Sequence, residues 1–453
     1  MAREIRLNAF QMNTPGHSWP GLWRHPRDRS DGFARLDFWT DLARLAERGL
    51  LDGIFIADTF GLHDVYLGGA DAALAAGAQV PIHDPALVIS AMAAVTRHLG
   101  FGLTTSVAYE HPYILARRFS TLDHLTNGRI GWNIVTGFLD SAARAMGEAG
   151  ALDHDERYAR AEDYLALVYK LWEESWEDGA VLRDKARGIY ADPAKVHAIR
   201  HDGPYFRSEA VHLCEPSPQR TPVLYQAGTS PAGKRFAARH AECVFINGHT
   251  RSSVARTVSD LRRQATEAGR DPSDLKVFLG ATVIAAASEA EARDLVEEYR
   301  PYVDPAGILA LMSGRLGVDL GAVGLDEPLT GIESNGVRSI VEALTRTDPN
   351  RTWTPRDLTR FAGAAGRGPF IVGSAVQVAD ELQDWADETD IDGFNLTRIV
   401  FPETLEAVVD LVVPELQSRG AFKTSYRDGP FREKLFGHAR GRLPASHPAK
   451  RGF

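Results

Sequence analysis

Cysteine is scarce: Cys214 and Cys243 are the only two in 453 residues. Two thiols cannot form a disulfide framework, so a reducing compartment is expected. No apolar run approaches the ~20 residues that a membrane span needs. The opening MAREIRLNAF lacks a signal-peptide layout and runs straight into a strand pattern, so the expected location is cytoplasmic, with no membrane contact. Basic charge is also in deficit, with 51 Lys and Arg against 60 Asp and Glu and a net charge of −9. That balance speaks against nucleic acid as a partner. Neither a GxSxG elbow nor a Walker loop occurs, and no GxGxxG turn follows the first strand. His154-Asp155-Glu156 matches no compact ligand spacing, so no metal is expected. One cysteine lies in an irregular stretch and the other at a strand start, so a thiol nucleophile is not expected either.

What is present is a regular alternation of strands and helices. Residues 98–140 read as strand, loop, helix, turn and strand. Phe101–Val107 is apolar and rich in Thr and Val. His111 and Pro112 open a helix whose Ile114, Leu115, Phe119, Leu122 and Leu125 make one apolar face. Asn127-Gly128 stops it, and Ile130–Val135 is a second strand. Such a unit implies parallel strands joined by a crossover. Further strands are predicted over 5–12, 53–57, 222–226, 242–246, 275–285 and 393–396. Helices are predicted over 36–48, 85–98, 155–172, 231–240, 252–268, 289–300, 376–388 and 402–419. Gly49 is read as a helix stop, Asp155 as an N-cap, and Ser288 with Glu291 as a capping box. Residues 59–82 and 137–154 are read as loops.

About eight strands alternating with helices argue for an α/β chain forming one (β/α)8 TIM barrel over residues 1–419. Two stretches break the rhythm, at about 173–221, with a small hairpin, and at 301–369, mostly helical. Residues 420–453 are read as a C-terminal arm that packs on a neighbour or frays.

The polar residues gather after the strands, where parallel α/β folds place their chemistry. Asp58 ends an apolar strand and is either a cap or a group at the barrel mouth. Thr104 and Ser106 follow one strand, and Asn133 and Thr136 follow another. Gly228-Thr229-Ser230-Pro231 lies between a strand and a helix start. Ser230 suits an N-cap there, and the free backbone N–H groups suit an anion; the two readings are compatible. His17, Trp19, Trp23 and His25 lie on a long first loop, as loop packing or as a pocket wall.

Long segments then narrow the reading. NAFQMN, GLWRHP, QVPIHDP, ISAMAAVT, ARRFSTLDHLTNGRIGWNIVT, HDERY, PSPQRTPVLYQAG, DGFNL, VVPELQSRG and FREKLFG resemble the flavin-dependent monooxygenases of the bacterial luciferase-like superfamily. The nearer group contains the nitrilotriacetate, dibenzothiophene sulfone, dimethyl sulfide and long-chain alkane enzymes, the last two being most similar. The resemblance spans nearly the whole chain. It implies a two-component monooxygenase: FMN enters as FMNH2 from a separate NAD(P)H:flavin reductase. One oxygen atom of O2 then reaches a small apolar or organosulfur substrate through a C4a-peroxyflavin. It also implies a homodimer or homotetramer.

Carried over by position, Asp58, Thr104, Asn133, Thr136, Gly137, His154, Tyr158, Gly228, Thr229 and Ser230 would hold the flavin, with Tyr158 and the 228–230 segment at its phosphate. His17, His63, Gln79 and Asn133 are the implied catalytic residues. Thr14, Trp23, Phe138 and Leu311 are implied in the substrate pocket. The alkane enzymes carry Cys, Tyr, His and His where this chain has Thr14, His63, Phe138 and Leu311, which points away from long-chain alkanes. The insertion at 301–369 is the candidate lid. Rival readings are an oxygen-independent deazaflavin enzyme of the same fold, a non-catalytic flavin-binding protein and a metal-dependent barrel hydrolase.

Overall fold

In the computed structural model of the chain, the described residues are 3–329, 353–365, 368–437 and 440–450, with side chains omitted for 361–365. Eight parallel strands close into a ring. They are β1 (Arg6–Met12), β2 (Gly53–Ala57), β3 (Gly100–Ser106), β4 (Ile130–Val135), β5 (Val223–Gln226), β6 (Cys243–Ile246), β7 (Lys276–Ala286) and β8 (Gly393–Thr397). Each pairs in parallel with its neighbour, and β8 returns to β1 in the register Arg6↔Gly393 to Phe10↔Thr397. These are the strands that the alternation predicts, with ends shifted by a residue or two.

One helix follows each strand around the outside: α1 (Leu36–Arg48), α2 (Ala86–Ala94), α3 (Pro112–Leu125), α4 (His154–Tyr169), α5 (Pro231–His240), α6 (Arg251–Glu267), α7 (Ala375–Thr389) and α8 (403–418, with a π-helical middle). Their starts follow local chemistry. The His111 side chain accepts from the Tyr113 N–H ahead of Pro112, and Ser230 Oγ accepts from the Gly233 N–H ahead of Pro231. Ser374 and Gln377 complete a reciprocal capping box at α7. Ser288 accepts from the Glu291 N–H at the helix Glu289–Tyr299.

Several local expectations are corrected. Asp153, not Asp155, occupies the N-cap position of α4. Asp155 instead reaches His154 Nδ1 at 2.9 Å. Gly49 does stop α1, as its C-cap residue with an ordinary φ of −77°, and the left-handed turn falls on Leu50. The stretch 173–221 holds two antiparallel ribbons rather than one hairpin, 181–184 with 189–191 and 199–202 with 207–210. Residues 59–82 and 137–154 are not wholly loop: Asp71–Ala76 and Asp140–Ala145 are short helices. A further strand, Phe370–Ser374, was not predicted. It pairs with Thr282–Ala286, the end of β7 that outruns the barrel. Of the 301–369 insertion, the structure describes the helices Pro305–Leu316 and Pro355–Ala365. The middle of that candidate lid, 330–352, lies outside the described residues. No helix among the described residues is long and apolar enough to cross a membrane.

Alternate residues point inward and fill the barrel with rings. Phe10, Phe55, Tyr225, Phe245 and Phe278 form one buried cluster with Val223 and Cys243. Part of the C-terminal segment completes that cluster. Phe431 and Leu435 join it, each 1% exposed. Phe431 lies against Gly100, where a Cβ would fall 2.3 Å from the ring. Next to it, buried Arg432 binds both oxygens of Glu242 at 2.7 and 3.0 Å and donates to the Thr221 carbonyl at 2.9 Å. Removing one member of such a pair strands a charge in the interior. Arg432→Met is therefore expected to lose about 3–5 kcal/mol, read as a lower urea midpoint. The double variant Arg432→Met with Glu242→Gln should recover part of that loss.

Candidate active site

Strand direction puts every strand's carboxyl end at one mouth, and a cavity of about 330 Å³ opens there. Its floor is apolar. Phe10, Phe55 and Phe245 line it with ring centroids 5.0–5.7 Å apart. Its walls are polar. Asp58 follows β2, Thr104 and Ser106 end β3, Asn133, Thr136, Gly137 and Phe138 end or follow β4, and Gln226, Gly228, Thr229 and Ser230 end or follow β5. His154 and Tyr158 reach in from the first turns of α4.

Register explains the polar pairing. Thr104 and Asn133 are direct partners in the β3–β4 ladder, so their side chains meet, and Asn133 Nδ2 donates to Thr104 Oγ1 at 2.9 Å. Among the described residues, the other end of that buried amide, Oδ1, has no hydrogen-bond partner, and neither does Gln226 Oε1. Both residues line the cavity. An open acceptor on a cavity-lining amide such as Asn133 suits a ligand that carries an N–H donor, since an unmade buried hydrogen bond is costly.

The other end of the cavity suits an anion. Ser230 caps α5 beneath the backbone of Gly228 and Thr229, at the positive end of the helix dipole. His154 Nε2 lies 3.1 Å from Ser230 Oγ. Gln226 Nε2 is 3.4 Å from the Tyr158 hydroxyl, whose titration burial pushes upward. A Cβ on Gly228 would fall 2.6 Å from Gln226 Nε2 and 3.0 Å from that hydroxyl, so any larger residue there would displace the Gln226 side chain.

Five of the residues implied by resemblance do not line the cavity. Thr14 is buried, and its carbonyl accepts from Arg398. Trp23 is 37% exposed and donates to the Ala76 carbonyl. Leu311 packs among Ala73, Ala76 and Ala78, while Met312 and Arg315 of its helix line the cavity. His17 lies behind Phe10, edge-on at 4.3 Å, and His63 lies behind Gln79. Arg315 lines it as well, and so do Arg157, Gln226, Asn247 and His249, which no motif in the sequence marks as site residues. Asn247 follows β6 directly, as Asp58 follows β2 and Thr136 follows β4, and His249 lies two residues further on. Burial holds His249 down to about 4, so its imidazole is neutral at pH 7. Among the described residues no group of three His, Cys, Asp or Glu is placed to hold a metal.

Asp58 carries the most displaced carboxyl at the mouth. Burial lifts it from 3.8 to about 7, and the charge of Asp84 adds to the rise. Between those values the folded chain holds a proton that the unfolded chain releases, so this group weakens the fold as pH rises through that window. Asp58→Asn should therefore raise unfolding stability at pH 8 by about 1–3 kcal/mol, after discounting for solvent screening. At pH 4 it should change little. Urea midpoints at the two pH values check this.

The profile of the family described as luciferase-like monooxygenase matches residues 13–390. The chain is 46% identical to the dimethyl-sulfide monooxygenase of Hyphomicrobium sulfonivorans, over 99% of this chain and 94% of that one. It is 45% identical to the long-chain alkane monooxygenase of Geobacillus thermodenitrificans (strain NG80-2), over 100% and 98%. The crystal structure of a riboflavin lyase with modified FMN and riboflavin superposes with a TM-score of 0.92 at 35% identity, covering 99% of each chain. With most of its length matched by the family and its relatives, this chain belongs to the luciferase-like monooxygenases.

Proposed function

We propose that the chain is the oxygenase of a two-component system: it takes FMNH2 from a separate NAD(P)H:flavin reductase and places one oxygen atom of O2 on a small apolar or organosulfur compound. Two relatives are named for a sulfide and an alkane, and a third holds a modified FMN. The observation that carries the reading is the two-ended cavity. The orphaned amide oxygen of Asn133 stands at one part, and the capped α5 terminus with His154, Tyr158 and Gln226 stands at another. An FMN carries N–H groups at its ring system and a phosphate at its tail, and this donor and acceptor set suits both.

In this reading Gly228, Thr229, Ser230, His154 and Tyr158 hold the phosphate. Asn133 Oδ1 accepts from a ring N–H while Thr104 fixes its orientation, and Asp58, Thr136 and Gly137 complete the flavin walls. When bound, reduced FMN supplies the electrons and the site of O2 activation. The chain's own work is binding, orientation and the exclusion of water. The Phe10–Phe55–Phe245 floor offers nothing to hydrate, and Met312 on the helix Pro305–Leu316 adds an apolar wall. Phe138 and Met12 extend that apolar lining, which suits an uncharged sulfide better than a polycarboxylate. Assembly as a homodimer or homotetramer and a cytoplasmic location belong to the same reading.

The test is oxygen bookkeeping with enzymatically supplied FMNH2 and a panel of sulfides, sulfones and alkanes. Oxygenated product should form at the expense of hydrogen peroxide for at least one member; complete recovery as peroxide throughout would overturn the proposal. Ser230→Ala should weaken FMN about tenfold, roughly the 1–2 kcal/mol of one charge-assisted hydrogen bond. Riboflavin, which lacks the phosphate, should bind that variant as it binds the wild type. Fluorescence titration separates the two.

A further inference from the structure

Behind the cavity wall, three segments distant in sequence meet at one buried amide. Gln79 lines the cavity and is 6% exposed. Its backbone adopts a left-handed φ of 57°, uncommon for a residue with a side chain. Its N–H is tied to the Gly16 carbonyl at 2.9 Å. Its side chain is held at both ends. Nε2 donates to the His17 carbonyl at 3.0 Å, and Oε1 lies 3.0 Å from His63 Nε2. A carbonyl oxygen only accepts, so the amide nitrogen must face His17 and the amide oxygen must face His63. His63 Nε2 therefore carries the proton. The other ring nitrogen, Nδ1, faces the helix Pro305–Leu316 at Gly314, where a Cβ would sit 2.2 Å from it.

We infer that His63 is a positioning residue: its Nε2–H clamps the Gln79 side chain into the cavity wall, and Gly314 on the lid-side helix makes room for the clamp. Its ring joins three parts of the mouth, the first loop through His17, the 59–82 segment that carries both residues, and the 305–316 helix. That helix also sends Met312 and Arg315 to the cavity. With Nε2 committed as a donor and Nδ1 turned to Gly314, the imidazole offers no basic nitrogen to the cavity. The role is geometric: a clamped Gln79 keeps the wall closed to water beside the apolar floor. The consequence for catalysis rests on the oxygenase reading above, whereas the clamp does not.

Three variants of the full chain test this: His63→Gln, His63→Leu and Gly314→Ala. Glutamine keeps an N–H donor at the reach of Nε2, and leucine removes it. Alanine is a better helix former than glycine, so Gly314→Ala displaces the ring without weakening the helix by propensity. Nitrogen NMR of ¹⁵N-histidine-labelled protein, with the His63 signal assigned by its loss in His63→Gln, should show a proton on Nε2 at pH 7.5. A ring that carries its proton on Nδ1 alone would overturn the clamp. With FMNH2 and O2 but no substrate, peroxide release should rise about tenfold in His63→Leu and Gly314→Ala and stay within twofold of wild type in His63→Gln. If His63→Gln leaks as fast as His63→Leu, or neither leucine nor alanine changes the rate, the positioning role is wrong. Wild type that fails to bind or oxidise FMNH2 at all would overturn the oxygenase reading instead, with the NMR tautomer still deciding the clamp.

Discussion

The hydrogen-bonded ladder between the first strand and the last carries the architecture. Residues 6–10 pair with 393–397, so nearly the whole chain is wound between two strands that lie side by side. Parallel pairing all the way round has one geometric consequence: each strand delivers its carboxyl end to the same rim. Polar residues scattered over almost two hundred positions, from Asp58 to His249, thereby share one cavity. An open sheet would have spread the same residues along an edge.

Closing a ring creates an interior that must be filled, and here it is filled with aromatic rings. The upper layer, Phe10, Phe55 and Phe245, serves twice, as core and as cavity floor. Below it lie Tyr225 and Phe278, and Phe431 enters from the C-terminal segment. The segment is fastened by the Arg432–Glu242 pair and by the Tyr426 hydroxyl, which donates to the Leu51 carbonyl at 2.6 Å. A tail rich in Arg and Gly looks like solvent-facing chain until its few apolar residues are seen to fit the bottom of the barrel. The ion pair beside them is buried because Glu242 already accepts from the Leu224 N–H at 3.1 Å and needs a cation to balance it.

The mouth contrasts with that fully packed interior. Asp58 sits where burial keeps its carboxyl protonated to about pH 7. Asn133 and Gln226 each keep an acceptor without a partner among the described residues, and Gln79 holds a left-handed backbone. Native interiors rarely tolerate several such features together, and they concentrate where a ligand completes the structure. The polar and the strained residues lie around one cavity, and the apolar ones form its base.

Much of this was legible in the chain itself. Strand periodicity, Pro112 and Pro231 at helix starts and the Asn127-Gly128 stop are local signals, and each is written within a few residues of where it acts. Twelve of the implied site residues line the cavity, because Asp58, Thr104, Asn133 and the 228–230 turn are marked by their position after a strand. Tertiary structure decided the rest. Which of Leu311, Met312 and Arg315 faces the cavity depends on how one helix rolls against Ala73, Ala76 and Ala78. Whether His63 touches the cavity or stands behind it depends on Gln79, sixteen residues away. Whether Phe431 reaches the barrel interior depends on Gly100 leaving space for its ring. Local order follows from neighbours along the chain, whereas orientation and depth follow from packing between elements that no short window of sequence contains.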